Sequence, residues 1–96
     1  MISTHVLDTE RGKPAAGMKV GLYRGDELVS LQETDDNGRI AELGKPREPG
    51  EYRLVFHVDN GFFEKVELTI AIDDPDSHYH VPLLVSSFQC TTYRGS

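Results

Sequence analysis

Four histidines stand in this 96-residue chain, at positions 5, 57, 78 and 80. Two of them form His78-x-His80, a spacing that on a strand puts both rings on one face. Two imidazoles on one face are half of a metal site. No cysteine or carboxylate is clearly placed to complete it, since Asp76 falls in a loop, so no metal is expected. His5 and His80 share a different property. His5 sits between Thr4 and Val6, and His80 between Tyr79 and Val81. If Val6 and Val81 face a core, both imidazoles face away from it. Such rings are either solvated surface histidines or a pair suited to general acid–base work, because imidazole titrates near neutrality. Arg39 follows Asn37-Gly38. It is either a solvated hairpin arginine or a planar two-pronged donor for a carbonyl-rich ligand. The chain has no Gly-x-Ser-x-Gly elbow, Walker loop, dinucleotide fingerprint or paired-cysteine zinc pattern.

These side chains must be positioned by strands, because period-two alternation dominates. In residues 51–58, Tyr52, Leu54, Phe56 and Val58 point one way, while Arg53, Val55 and His57 point the other. In residues 64–72, Val66, Leu68, Ile70 and Ile72 form the apolar face. Asp59-Asn60-Gly61 lies between them, and Asn-Gly favours positive φ, so a tight hairpin with no helix is expected there. Further strands are expected at residues 2–7, around Met18, Val20 and Leu22, at 28–33 and at 39–41. A last hairpin is expected from residues 79–85 and 88–94. Turn-rich segments at 11–14, 44–50 and 73–76 separate them. Seven or eight short strands at this spacing predict an all-β, antiparallel β-sandwich. Pro82 is the local objection: it cannot donate a ladder hydrogen bond, so its amide side should face an edge or a bulge.

The length suits one domain spanning residues 1–96, since domains mostly run to about 50–200 residues. Acidic residues outnumber basic ones 16 to 10, for a net charge of −6, which speaks against binding nucleic-acid phosphates. No apolar run approaches the roughly 18 residues of a membrane span, and no signal peptide is expected from the first residues. Cys90 is the only cysteine, which points to a reducing, cytoplasmic setting. A core this small makes oligomerisation a natural way to bury more apolar surface.

The two ends of the chain add something more specific. The start reads Ser3-Thr4-His5-Val6-Leu7-Asp8-Thr9 and continues to Gly12-Lys13-Pro14-Ala15. The other end carries His78-Tyr79-His80-Val81-Pro82-Leu83-Leu84 and closes on Tyr93-Arg94-Gly95-Ser96. Together with Thr34-Asp35-Asp36-Asn37-Gly38-Arg39 and Gly50-Glu51-Tyr52, these segments resemble the 5-hydroxyisourate hydrolases, transthyretin-like enzymes of urate breakdown. The terminal Tyr-Arg-Gly-Ser separates those enzymes from transthyretin, the hormone carrier of the same fold. The resemblance spans essentially the whole chain.

It implies four active-site positions. His5 matches the histidine of the N-terminal His-Val-Leu-Asp motif, Arg39 the arginine after the Asp-Gly turn, His80 the second histidine of His-Tyr-His-Val-Pro, and Ser96 the terminal serine. Tyr93 matches a tyrosine that helps open the site to substrate. It also implies a homotetramer, a dimer of dimers, with the sites in a channel between dimers. An outward sheet face would then become a cleft on assembly. The implied reaction opens the ring of 5-hydroxyisourate by hydrolysis, with His5 or His80 as base, Arg39 holding substrate oxygens and Ser96 bonding substrate. No cofactor is implied. A non-catalytic small-ligand carrier is the rival from another class, and a structural β-sandwich module a third. Two departures stand out. The family usually has Ser-Pro between the last two strands, where this chain has Ser86-Ser87. It often has a longer link with a short helix after the strand ending near His57, where this chain has only Val58-Asp59-Asn60-Gly61 before Phe62-Phe63.

Overall fold

The computed structural model describes residues 1–95, which form two β-sheets packed face to face. In chain order the strands are β1 (Ile2–Asp8), β2 (Lys13–Pro14), β3 (Lys19–Arg24), β4 (Glu27–Glu33), β5 (Arg39–Gly44), β6 (Gly50–Phe56), β7 (Val66–Ile72), β8 (Tyr79–Val85) and β9 (Cys90–Thr92). One sheet runs β4-β3-β6-β7. The other runs β2-β1-β8-β9, and β5 also pairs with β1, along Ile2–His5, while β2 takes Leu7 and Asp8.

Alternation builds the core. Ile2, Thr4 and Val6 of β1, Tyr79, Val81, Leu83 and Val85 of β8, and Tyr52, Leu54 and Phe56 of β6 are all buried, and those of Ile2, Val6, Leu54, Phe56 and Leu83 are fully so. Each Val, Leu, Ile or Phe side chain among them contributes about 1.5–3 kcal/mol over an exposed one. Thr4 is the polar member of this set, and its hydroxyl donates to the Val81 carbonyl at 2.6 Å. That bond removes the cost of burying it.

The sandwich is all-β, as its alternation predicts, with three local refinements. First, every pairing is antiparallel except β1 with β8, which runs parallel from Ile2↔Tyr79 to Asp8↔Val85. These strands lie near opposite ends of the chain, so no turn between them imposes antiparallel pairing. Second, the described residues hold nine strands, because Lys13–Pro14, in a segment read as a turn, pairs with Leu7 and Asp8. Third, β9 is shorter than residues 88–94, and Phe88 lies outside it, 76% exposed. Pro82 explains part of that. The β8–β9 ladder spans Leu83↔Thr92 to Val85↔Cys90, and an isolated bridge resumes it at His80↔Gly95. Pro82 falls in the gap, where it has no N–H to give. Its carbonyl accepts from the Thr92 hydroxyl at 2.8 Å instead.

The link from β6 to β7 contains no helix, and the two strands pair directly, from Phe56↔Val66 onward. The strands end at Phe56 and Val66, short of Asp59-Asn60-Gly61, but the reversal itself is tight: the Asp59 N–H donates to the Glu64 carbonyl and the Asn60 N–H to the Phe63 carbonyl, both at 3.1 Å. Asp59 and Gly61 take positive φ, at 47° and 96°. Asn60 does not, and its side chain holds the loop instead. Its Oδ1 accepts from the Phe62 and Phe63 N–H groups, and its Nδ2 donates to the Ser86 carbonyl at 3.0 Å. Asn60 thereby ties this loop to the Ser86-Ser87 turn.

Candidate active site

Three adjacent strands supply one outward face. Arg39 of β5 stands opposite His5 of β1, and His5 stands opposite Pro82 of β8. One step along, Ser3 stands opposite His80. Residues opposite one another share a sheet face, and alternate residues along a strand do too. Arg39, His5, Ser3 and His80 therefore project from one face, while Ile2, Thr4, Val6, Tyr79 and Val81 fill the core behind it.

Arg39 owes its place to the Asp35–Gly38 turn. The Asp35 carboxylate accepts from the N–H groups of Asn37 and Arg39, both at 2.9 Å. The Asp35 carbonyl accepts from Gly38, again at 2.9 Å. Asp and Asn favour such turns because their short side chains bond the backbone just ahead. Gly38 has φ of 75°, and a Cβ there would collide with the Val6 carbonyl oxygen. Its own carbonyl accepts from the Val6 N–H at 2.7 Å. The turn is thus docked on β1 beside His5, and only glycine fits that approach.

His80 is half-buried, with its Nδ1 2.8 Å from the Ser3 hydroxyl. Its pKa is held below the ordinary imidazole value, first by burial, then by the charges of His78, His5 and Arg39. The shift favours the neutral ring, the form able to accept a proton. His5 is also half-buried. His78 is exposed, yet its Nε2 lies 2.8 Å from the same Ser3 hydroxyl. Among the described residues, no three His, Cys, Asp or Glu side chains gather as a metal-binding group.

The segment after β9 is clamped against the start of β8. The Gly95 N–H donates to the His80 carbonyl at 2.7 Å, and a Cβ on Gly95 would lie 2.6 Å from the His80 ring. Arg94 stacks 4.4 Å from the Tyr79 ring centre and donates to the His78 carbonyl at 3.4 Å. Tyr79 is anchored in turn by its hydroxyl, which donates to the Asp73 carboxylate at 2.9 Å. That bond, with two backbone N–H groups, holds the exposed Asp73 carboxyl below its usual range.

The structure thus gathers His5, Arg39 and His80 on one face. Ser96 lies outside the described residues. Tyr93 is 56% exposed and borders a cavity of about 570 Å³ between β7 and β9, and no hydrogen bond joins it to His5 or His80 among the described residues. The sequence reading assigned no role to Ser3, Arg94 or Gly95. Alternation does put Ser3 on the face of His5, but its contact with His80 depends on a pairing between chain ends that no local pattern reveals.

The chain matches the family described as HIUase/Transthyretin over residues 2–95. It is 43% identical to 5-hydroxyisourate hydrolase 2 of Rhizobium meliloti, covering 99% of this chain and 95% of that protein. It is 40% identical to the 5-hydroxyisourate hydrolase of Deinococcus radiodurans, with the same coverages. The structure of Klebsiella pneumoniae 5-hydroxyisourate hydrolase superposes with a TM-score of 0.87 at 34% identity, covering 99% of this chain and 98% of that one. With sequence and sheet topology both matched from end to end of the described residues, the chain belongs to the HIUase/transthyretin family.

Proposed function

We propose that this protein hydrolyses 5-hydroxyisourate to 2-oxo-4-hydroxy-4-carboxy-5-ureidoimidazoline in urate breakdown. The observation that carries this reading is the placing of the half-buried His80 imidazole on the same face as His5 and Arg39, where burial and neighbouring charge favour its neutral form. Hydrolysis adds water across a ring amide bond. The water oxygen bonds the carbonyl carbon, the C–N bond breaks, and the nitrogen leaves with a proton. The reaction needs a base for the water, an acid for the nitrogen and positive charge beside the developing oxyanion. One histidine of the His5/His80 pair takes the proton from water, and the other orients the water or returns a proton. Arg39 presents its planar fork to substrate oxygens and offsets the oxyanion charge. Ser96 completes the set by bonding substrate, its carboxylate orienting a histidine, and Tyr93 opens the approach. No cofactor enters this scheme, and residues 1–96 act as one domain.

The working form in this proposal is a homotetramer, a dimer of dimers, whose assembly turns the outward site face into a cleft. The free edges support it: β7 and β9 each end a sheet, with the cavity bordered by Tyr93 between them. Unpaired edges are templates for another chain, and closed symmetric assembly is the usual way to cover them. Light scattering is expected to give four times the chain mass at micromolar concentration, and the mass of a single chain would exclude the assembly. The cytoplasm is the proposed compartment, in keeping with the exposed, unpaired Cys90.

The activity test is direct. 5-Hydroxyisourate is generated from urate with urate oxidase, and its decay is followed with and without this protein. Faster decay with the protein is expected. A rate equal to the spontaneous one would leave the carrier reading, favoured then by saturable binding of the same compound.

A further inference from the structure

Ser3 is only 6% exposed although it lies on the outward sheet face, and its one hydroxyl there meets two imidazoles. Its Oγ lies 2.8 Å from His80 Nδ1 and 2.8 Å from His78 Nε2. We propose that His78, acting through Ser3, sets the tautomer of His80 and so decides whether its Nε2 can accept a proton; this deepens the hydrolase reading and rests on it.

A serine hydroxyl has one proton to donate and lone pairs to accept with, and a neutral imidazole has one N–H and one bare nitrogen. Three groups in a row can then be satisfied in two orders. In the first, His80 Nδ1–H donates to Ser3 Oγ, and Ser3 donates to a bare His78 Nε2. His80 Nε2 is then bare and can take a proton from water. In the second, His78 Nε2–H donates to Ser3, and Ser3 donates to His80 Nδ1. His80 Nε2 then carries the proton, and the base is blocked. A neutral His78 permits the first order. A cationic His78 carries protons on both nitrogens and permits only the second. The hydrogen bond at one ring nitrogen decides what the other can do.

Other charges near the row do not replace this control. His5 on β1 and Arg39 on β5 face His80. Next to His78, Arg94 donates to its carbonyl, and the Met1 ammonium donates to the Ser77 carbonyl at 2.9 Å. The Asp74 carboxylate accepts from the Asp76 N–H and the Ser77 hydroxyl, while the exposed Asp73 accepts from Tyr79. The His78 ring therefore has Ser3 as its one recorded hydrogen-bond partner among the described residues. His78 and Ser3 are positioning residues in this scheme, and His80 touches the water.

The test reads the tautomer without turnover. The protein is labelled with ¹⁵N-histidine, and the His80 ring nitrogens are followed by NMR at neutral pH in the parent and in Ser3→Ala, Ser3→Thr and His78→Ala. The parent is expected to show His80 protonated at Nδ1 and bare at Nε2. Ser3→Ala and His78→Ala are expected to move the proton toward Nε2, and Ser3→Thr, which keeps the hydroxyl, to hold it at Nδ1. Loss of the orienting partner of a metal-bound imidazole costs about 10- to 100-fold; by analogy kcat should fall by that order in the two alanine variants and recover in Ser3→Thr. His78 is exposed, so that variant keeps the fold even if Ser3→Ala does not. An unchanged His80 tautomer in a folded His78→Ala would overturn the proposal, whatever its activity. Absent turnover with the expected tautomer shift would instead refute the hydrolase reading and leave the coupling standing.

Discussion

His80→Asn is expected to slow turnover of 5-hydroxyisourate by about 10²- to 10⁴-fold, the usual contribution of a positioned general base. The fold should be little affected. His80 projects away from the core, and asparagine keeps a polar atom near Ser3 while losing the nitrogen that exchanges a proton. His5→Asn is expected to fall in the same range, because the scheme needs one imidazole to take a proton and the other to orient or return it. Two merely solvated histidines would cost almost nothing to replace, so the variants separate the alternatives sharply. The pH profile adds a second signature. His80 is held below the ordinary imidazole value near 6.5, chiefly by burial. The neutral base is therefore populated at pH 6.5, and the acid limb should lie below that value. The same shift has a consequence for folding, because the unfolded chain binds this proton more readily. The stability tied to neutral His80 is fully present above 6.5 and is lost as pH falls through the lower folded value. Steady-state kinetics from pH 5 to 8 on folded, assembled variants check all of this. Near-normal turnover by a folded protein lacking both imidazoles would leave the mechanism without a base.

The second large effect is expected at Arg39. Arg39→Gln removes both the charge and the fork, and loss of one preorganised oxyanion donor costs about 10²- to 10³-fold in kcat. Arg39→Lys restores the charge as a point but not the planar pair of donors, so it should recover only part of that loss. The two variants should also differ in pH dependence. The Arg39 charge is one of the causes that lower the His80 pKa. Its removal in Arg39→Gln should move the acid limb up toward the ordinary value, whereas Arg39→Lys should leave it low. Neither change should disturb the turn, because Asp35 and Gly38 hold the backbone and the Arg39 side chain is exposed. Unchanged kcat and an unchanged limb in Arg39→Gln would remove the arginine from the chemistry.

Much of this molecule is legible along the chain. Alternation by itself assigned Tyr52, Leu54 and Phe56 to the core and turned His5 and His80 away from it, because which side a strand residue takes depends only on its own strand. Asp35-Asp36-Asn37-Gly38 announced a turn for a similarly local reason: its bonds run from Asp35 to residues two to four places on. Asn60-Gly61 shows where local reading stops. The pair marks a reversal correctly, but the Asn60 side chain bonds a second loop 26 residues away, and positive φ passes to its neighbours. The site goes further beyond local reach. That His5 and His80 belong to one face, with Ser3 between His78 and His80, follows from β1 pairing parallel with β8. No turn specifies that pairing. It is decided by which apolar faces meet when the two sheets close over one core, and a one-residue slip would send every side chain of the strand to the other face. The residue types and the facing of each strand were determined by the sequence alone; the bringing together of those faces into one site was decided only by the tertiary fold, because that choice rests on contacts between opposite ends of the chain.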